Sequence, residues 1–152
     1  MFLGAMVAAC GRGRATTDTG VAPQPAQQFT RAVTATSART VQAAVAVFGD
    51  DGIPVATADE ASGFVQSVPL DLAAQWGKTP VDQRVNCVNG AAAAGQIRLG
   101  VQVHSTPTGS ALTLQSLPAG NGDEHRVPSS CVLRSEFLSR LLDDIASRAS
   151  AQ

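Results

Sequence analysis

The side chains best suited to covalent, metal or acid–base chemistry in this 152-residue chain are three cysteines and two histidines. Cys10 lies near the start, Cys87 and Cys131 far downstream. Cytosolic thiols are usually catalytic, metal-binding or buried, whereas exported ones tend to pair. The odd count divides most simply as one plus two. A Cys87–Cys131 bridge would close a loop of about 45 residues and stabilise the fold by roughly 4 kcal/mol in the chain-entropy model; two separate buried thiols are the alternative. No further Cys or paired His completes a ligand set, so neither a metal nor a cofactor is expected. His104 is expected on the wet face of a strand and His125 in a polar loop, and no neighbouring motif orients either as a base. His104-Ser105 with a remote Asp could be drawn as a triad, but such a drawing carries no geometry. The acidic pairs Asp50-Asp51, Asp123-Glu124 and Asp143-Asp144 fall at loops or helix ends and read as solvated faces. The run from Gly90 to Gly100 contains Gly-Ala-Ala-Ala-Ala-Gly, yet no Gly-x-Gly-x-x-Gly and no phosphate-loop Lys. These residues support no catalytic site, and a protein that is not an enzyme is expected.

Cys10 follows directly on the uncharged apolar stretch Met1 to Ala9. That stretch is too short to cross a bilayer, which needs roughly 20 residues, and it has the length of the apolar region of a signal peptide. Val7-Ala8-Ala9-Cys10 resembles a lipobox, the motif of bacterial lipoproteins. The resemblance implies that the Cys10 thiol is alkylated with diacylglycerol and becomes the mature N-terminus. No Lys or Arg precedes the apolar run, so a start site further upstream is expected. An ordinary N-terminus with a chance Ala-Ala-Cys is the competing account. Gly11 to Gln28 is rich in Gly, Thr, Pro and Gln and almost free of large apolar residues, a composition that cannot offset the entropy of ordering the chain. A flexible tether of about 20 residues reaches on the order of 25 Å, enough to hold a domain clear of a membrane. The expected organisation is a truncated signal over 1–10, a tether over 11–30 and one folded domain over 31–149.

The length suffices for one hydrophobic core. Apolar residues make up 44% of the chain but aromatics only 4%, so the core must be built from Val, Leu, Ala and Phe. Eleven basic and twelve acidic residues leave a net charge of −1, which gives no field to gather phosphate backbones and disfavours nucleic acid as a partner. Ala38, Val41, Ala44, Val45 and Phe48 recur at helical spacing behind Ser37 as a cap and ahead of Gly49, Gly52 and Pro54, predicting a helix over Ala38 to Phe48. Ile53 to Ala58 and Phe64 to Pro69 read as a hairpin whose loop ends in Gly63. Leu70, Leu72 and Trp76 fit either a helical turn or a loop docked through the indole. Val85 to Val88 carries Cys87 in a strand expected beside the sheet centre. Ile97, Leu99, Val101 and Val103 alternate with polar residues and Gly100 as a half-buried strand does, and Ala111 to Leu117 returns after the turn at Thr106 to Gly109. Leu138, Leu141, Leu142 and Ile145 predict a last helix from Val132 to Ser147, starting near Ser130 or Ser135. Hairpin connections too short for parallel crossovers imply an α+β fold, an antiparallel sheet with an N-terminal and a C-terminal helix packed on one face.

The lipobox, the helix and hairpin running through Ala58-Asp59-Glu60-Ala61-Ser62-Gly63-Phe64-Val65, and Cys131 leading into Phe137-Leu138 to Ile145 together resemble small envelope lipoproteins, and more distantly BamC-like lipoproteins of the outer-membrane assembly machinery. This resemblance implies an α+β domain on the periplasmic face of the outer membrane and assigns no active residues. Two functions are compatible with it. One is an interaction module that binds an envelope protein through a sheet edge or helix face. The other is a binding domain for a lipid or small apolar molecule. A cavity lined by Val101, Val103, Leu112 and Leu114 would favour the second, and a filled core the first.

Overall fold

The computed structural model describes residues 27–119 and 131–151. Cys10, His125 and the Asp123-Glu124 pair, together with the expected signal and most of the expected tether, lie outside the described residues. Strand β1 spans Gln27–Val33, helix α1 Ser37–Asp50, strands β2 and β3 Val55–Asp59 and Phe64–Ser67, and a two-residue β4 Leu70–Asp71. The single turn α2 (Val81–Arg84) leads into β5 (Val85–Cys87). The long strands β6 (Gln96–Thr106) and β7 (Gly109–Pro118) follow, then β8 (Cys131–Leu133) and helix α3 (Ser135–Ser150).

The main sheet has the order β1-β7-β6-β3-β2, every pair antiparallel, and β4 pairs with the start of β6 below the end of β3. Val65 stands opposite Val101, Val101 opposite Leu114 and Val103 opposite Leu112, so period-two alternation puts these five on one face. All are buried there with Leu99 and Ile97. The opposite face carries Gln66, Gln102, Thr113 and Arg98, all partly exposed, as expected of an antiparallel sheet covered on one side. Helix α1 buries Val41, Ala43, Ala44, Val47 and Phe48, and α3 buries Phe137, Leu138, Leu141, Leu142 and Ile145. The two helices pack on each other and against the sheet, giving the α+β arrangement that the residue pattern implied. Inside this layer the Thr40 and Ser110 hydroxyls satisfy one another at 2.9 Å.

Several boundaries differ from the sequence reading. Strand β1 begins within the expected tether, at Gln27, and only Val33 of its seven residues is fully buried. As an edge strand against β7 it is held mainly by backbone pairing rather than by apolar periodicity. Helix α1 is capped by Thr36, whose hydroxyl accepts from the Arg39 N–H, while Ser37 is its first residue. Helix α3 starts at Ser135 because Val132 is drawn into β8, and Arg134, with no side-chain cap bond, precedes it. Cys87 does not lie beside the centre of the main sheet: β5 pairs only with β8, as a separate two-stranded ribbon. The β2–β3 loop ends as expected at Gly63, whose φ of +68° and whose approach to the Val103 carbonyl exclude a Cβ, which would lie 2.1 Å from that oxygen.

Candidate binding cleft

A buried cation stands directly before the ribbon. Leu72 to Pro80 forms a loop, not a helix, and Trp76 docks it by donating Nε1–H to the Asp71 carbonyl at 2.9 Å. Arg84, at the end of α2, has no exposed surface. Its Nη1 donates to the carbonyls of Trp76 (2.6 Å) and Thr79 (3.0 Å), its Nη2 to that of Ala74 (2.7 Å), and its Cζ lies 3.7 Å from the Trp76 ring centroid. The guanidinium is thus wrapped by the loop it organises, with carbonyl dipoles and an aromatic face in place of a counter-ion. Among the described residues no carboxylate pairs with it and its Nε has no hydrogen-bond partner. Burial alone pushes the Arg84 pKa below the ordinary guanidinium value. Trp76 in turn meets Phe137 of α3 edge-on at 5.9 Å, which ties the loop to the last helix.

From Arg84 the chain enters β5, where Val85, Asn86 and Cys87 stand opposite Leu133, Val132 and Cys131. The cysteines are therefore direct cross-strand partners, and they are joined as a disulfide with Cα atoms 4.0 Å apart. The bridge closes the ribbon itself instead of pinning α3 to the main sheet. Arg134 follows immediately: its backbone N–H donates to the Arg84 carbonyl at 2.8 Å, and its side-chain Nε donates to the carbonyls of Asp82 (2.9 Å) and Val85 (3.2 Å).

Beside this ribbon lies an open cleft of about 500 Å³. Its apolar lining comes from Val81, Val85 and Cys87 and from Gly90, Ala91 and Ala93 of the small-residue run. Asp82, Asn86 and Arg134 supply its polar groups. The sequence reading assigned no role to Gly-Ala-Ala-Ala-Ala-Gly beyond not being a phosphate loop. Its position directly after Cys87, with Arg134 just after Cys131, was the available signal once the two cysteines were paired.

The other sequence candidates are not brought together. His104 is exposed near the end of β6, opposite Ala111, and its side chain makes no hydrogen bond or ion pair among the described residues. Asp50 pairs with Arg148, Asp51 with Arg140 at 3.9 Å, and Asp143 with Arg31, so these acids tie α1 and β1 to α3. Among the described residues no group of three or more His, Cys, Asp or Glu could hold a metal, and no helix is long and apolar enough to cross a membrane. The space lined by Val101, Val103, Leu112 and Leu114, where a cavity would have favoured ligand binding over an interaction module, is filled: Val101, Leu112 and Leu114 have no exposed surface and Val103 only 2%, so any ligand site lies elsewhere.

No family model matches the chain, and no curated protein matches it. Eleven chains of solved structures are similar to it, among them the following two. Protein CV1439 from Chromobacterium violaceum is 11% identical over 84% of this chain and 96% of its own, with a TM-score of 0.37. The ZhuI aromatase/cyclase from Streptomyces sp. R1128 is 16% identical over 84% of this chain and 87% of its own, with a TM-score of 0.28.

Proposed function

We propose that this protein is a non-catalytic binding domain, exported and held at the bacterial envelope by a lipid on Cys10, whose ribbon-side cleft takes a small, largely apolar molecule. The observation that carries this reading is the cleft itself. Its 500 Å³ falls in the range of small-molecule sites, and it combines apolar walls with a few placed polar groups. The disulfide braces the ribbon beside it, which fits a preformed site. Titration with the apolar fluorophore N-phenyl-1-naphthylamine tests it. A single saturable site that disappears in Ala93→Trp, which fills the cleft, is expected; unsaturable or unchanged binding would refute the reading. The anchor is tested separately by the intact mass of the protein from its host's membrane fraction, where a chain beginning at Cys10 with added acyl mass is expected.

A second reading, an interaction module for an envelope protein, draws on the outer edge of β1, seven residues long and unpaired among the described residues. The opposite edge, β2, suits pairing less well, because it follows Pro54 and is interrupted by a bulge between Val55 and Thr57. A β1 variant such as Thr30→Pro that keeps ligand binding but loses an envelope crosslink would favour this reading.

A further inference from the structure

We infer that the ligand of the cleft carries a carboxylate, received by the outer nitrogens of Arg134; this rests on the small-molecule reading above. Arg134 is fixed at three points, through its backbone N–H on Arg84 and through its Nε on Asp82 and Val85. All these bonds are to carbonyl oxygens, so none neutralises its charge. The Nε bonds also leave both terminal nitrogens, Nη1 and Nη2, without a partner among the described residues. A guanidinium anchored by Nε presents those two N–H groups as a preset fork, the geometry that matches the two oxygens of a carboxylate. Little rotamer freedom remains to be lost on binding.

The rest of the cleft suits the remainder of such a molecule. Val81, Val85, Ala91 and Ala93 offer an apolar surface that includes small side chains, room for a chain or a ring but no further charge. Asp82 is the exception. It lines the same cleft, and no salt bridge within 4.0 Å joins it to Arg134. Its carboxylate opposes an incoming anion and weakens, without abolishing, the pull of Arg134. Neutralising Asp82 should therefore tighten binding of an acid and leave a neutral analogue unaffected, a response that a cleft indifferent to charge would not give.

The probes are 4-phenylbutanoate and 4-phenylbutan-1-ol, which share an apolar body and differ at the end group, titrated into the ¹⁵N-labelled domain while the amides of residues 81–93 and Arg134 are followed. The acid is expected to bind about tenfold more tightly than the alcohol, an advantage that falls below about threefold in Arg134→Gln and grows in Asp82→Asn. Should Arg134→Gln lose the native amide spectrum, Arg134→Lys keeps the charge but not the fork and is expected to lose most of the advantage. Equal binding of acid and alcohol at these amides would overturn the carboxylate inference and leave the apolar cleft standing. Failure of both probes to shift these amides would overturn the cleft reading and the inference with it.

Discussion

Replacing Arg84 by Met removes the cation but nearly keeps its length, and so isolates what the guanidinium contributes. Three N–H groups on a charged donor meet carbonyls at 2.6, 2.7 and 3.0 Å, and such bonds contribute about 1.5–3 kcal/mol each. Against this stands the buried, unpartnered Nε, which costs the wild type about 1–3 kcal/mol. Met returns that penalty but leaves the Ala74 and Trp76 carbonyls without the side-chain donor they have now. The balance is a loss of about 4 kcal/mol. Since domains of this size are stable by only about 5–15 kcal/mol, this is a large share. Urea unfolding followed by far-UV circular dichroism should show the midpoint falling with little change in slope. Trp76, the only tryptophan, lies on the guanidinium and gives a second probe, and its emission should change in the folded variant. A loss below about 1 kcal/mol with unchanged Trp76 emission would refute the idea that Arg84 organises the loop.

Two further outcomes are expected. The Cys87→Ser/Cys131→Ser variant opens a ring with a sequence separation of 44 and should lose roughly 4 kcal/mol in the chain-entropy model, measured as an equal drop in unfolding free energy, with amide shifts concentrated in β5, β8 and the cleft walls. In the β2–β3 loop, the Asp59 carboxylate accepts from the Ser62 hydroxyl at 2.8 Å and from the Ala61 N–H at 2.9 Å, bonds that hold its pKa below the ordinary 3.8. Because the folded-state value is depressed, the loop's stabilisation is complete above the unfolded value and is lost as pH falls through the folded one. Nuclear magnetic resonance titration should place the Asp59 midpoint below 3.8, and Ser62→Ala should raise it.

The elements that bury a periodic face were legible from residue type alone. The alternation from Ile97 to Val103 and the leucines of α3 each have one face to cover, and the structure covers it. Strand β1 was not legible, because an edge strand with most of its side chains exposed carries almost no hydropathy signal. The register of β5 was lost for a different reason: three residues beside a cysteine do not reveal which strand they pair with. The cleft depended on that pairing. Its walls come from segments that are unremarkable alone, an alanine run and one helical turn, and they become a site only when Cys87 and Cys131 meet. Arg84 gave no warning either, since nothing in Asp82-Gln83-Arg84-Val85 distinguishes a cation wrapped by carbonyls from one in water.

The cross-strand bridge also decides what happens when the backbone is cut. Everything from residue 88 to residue 130 lies between the two half-cystines, including the long β6–β7 hairpin that supplies the centre of the sheet. A protease that severs any single peptide bond in that span produces two fragments still joined covalently, with α3 tied to the N-terminal part of the domain. One nick would leave the pieces at high effective concentration beside one another, able to re-form the native pairing rather than drift apart. Reduction, or a second cut, would turn such damage into loss.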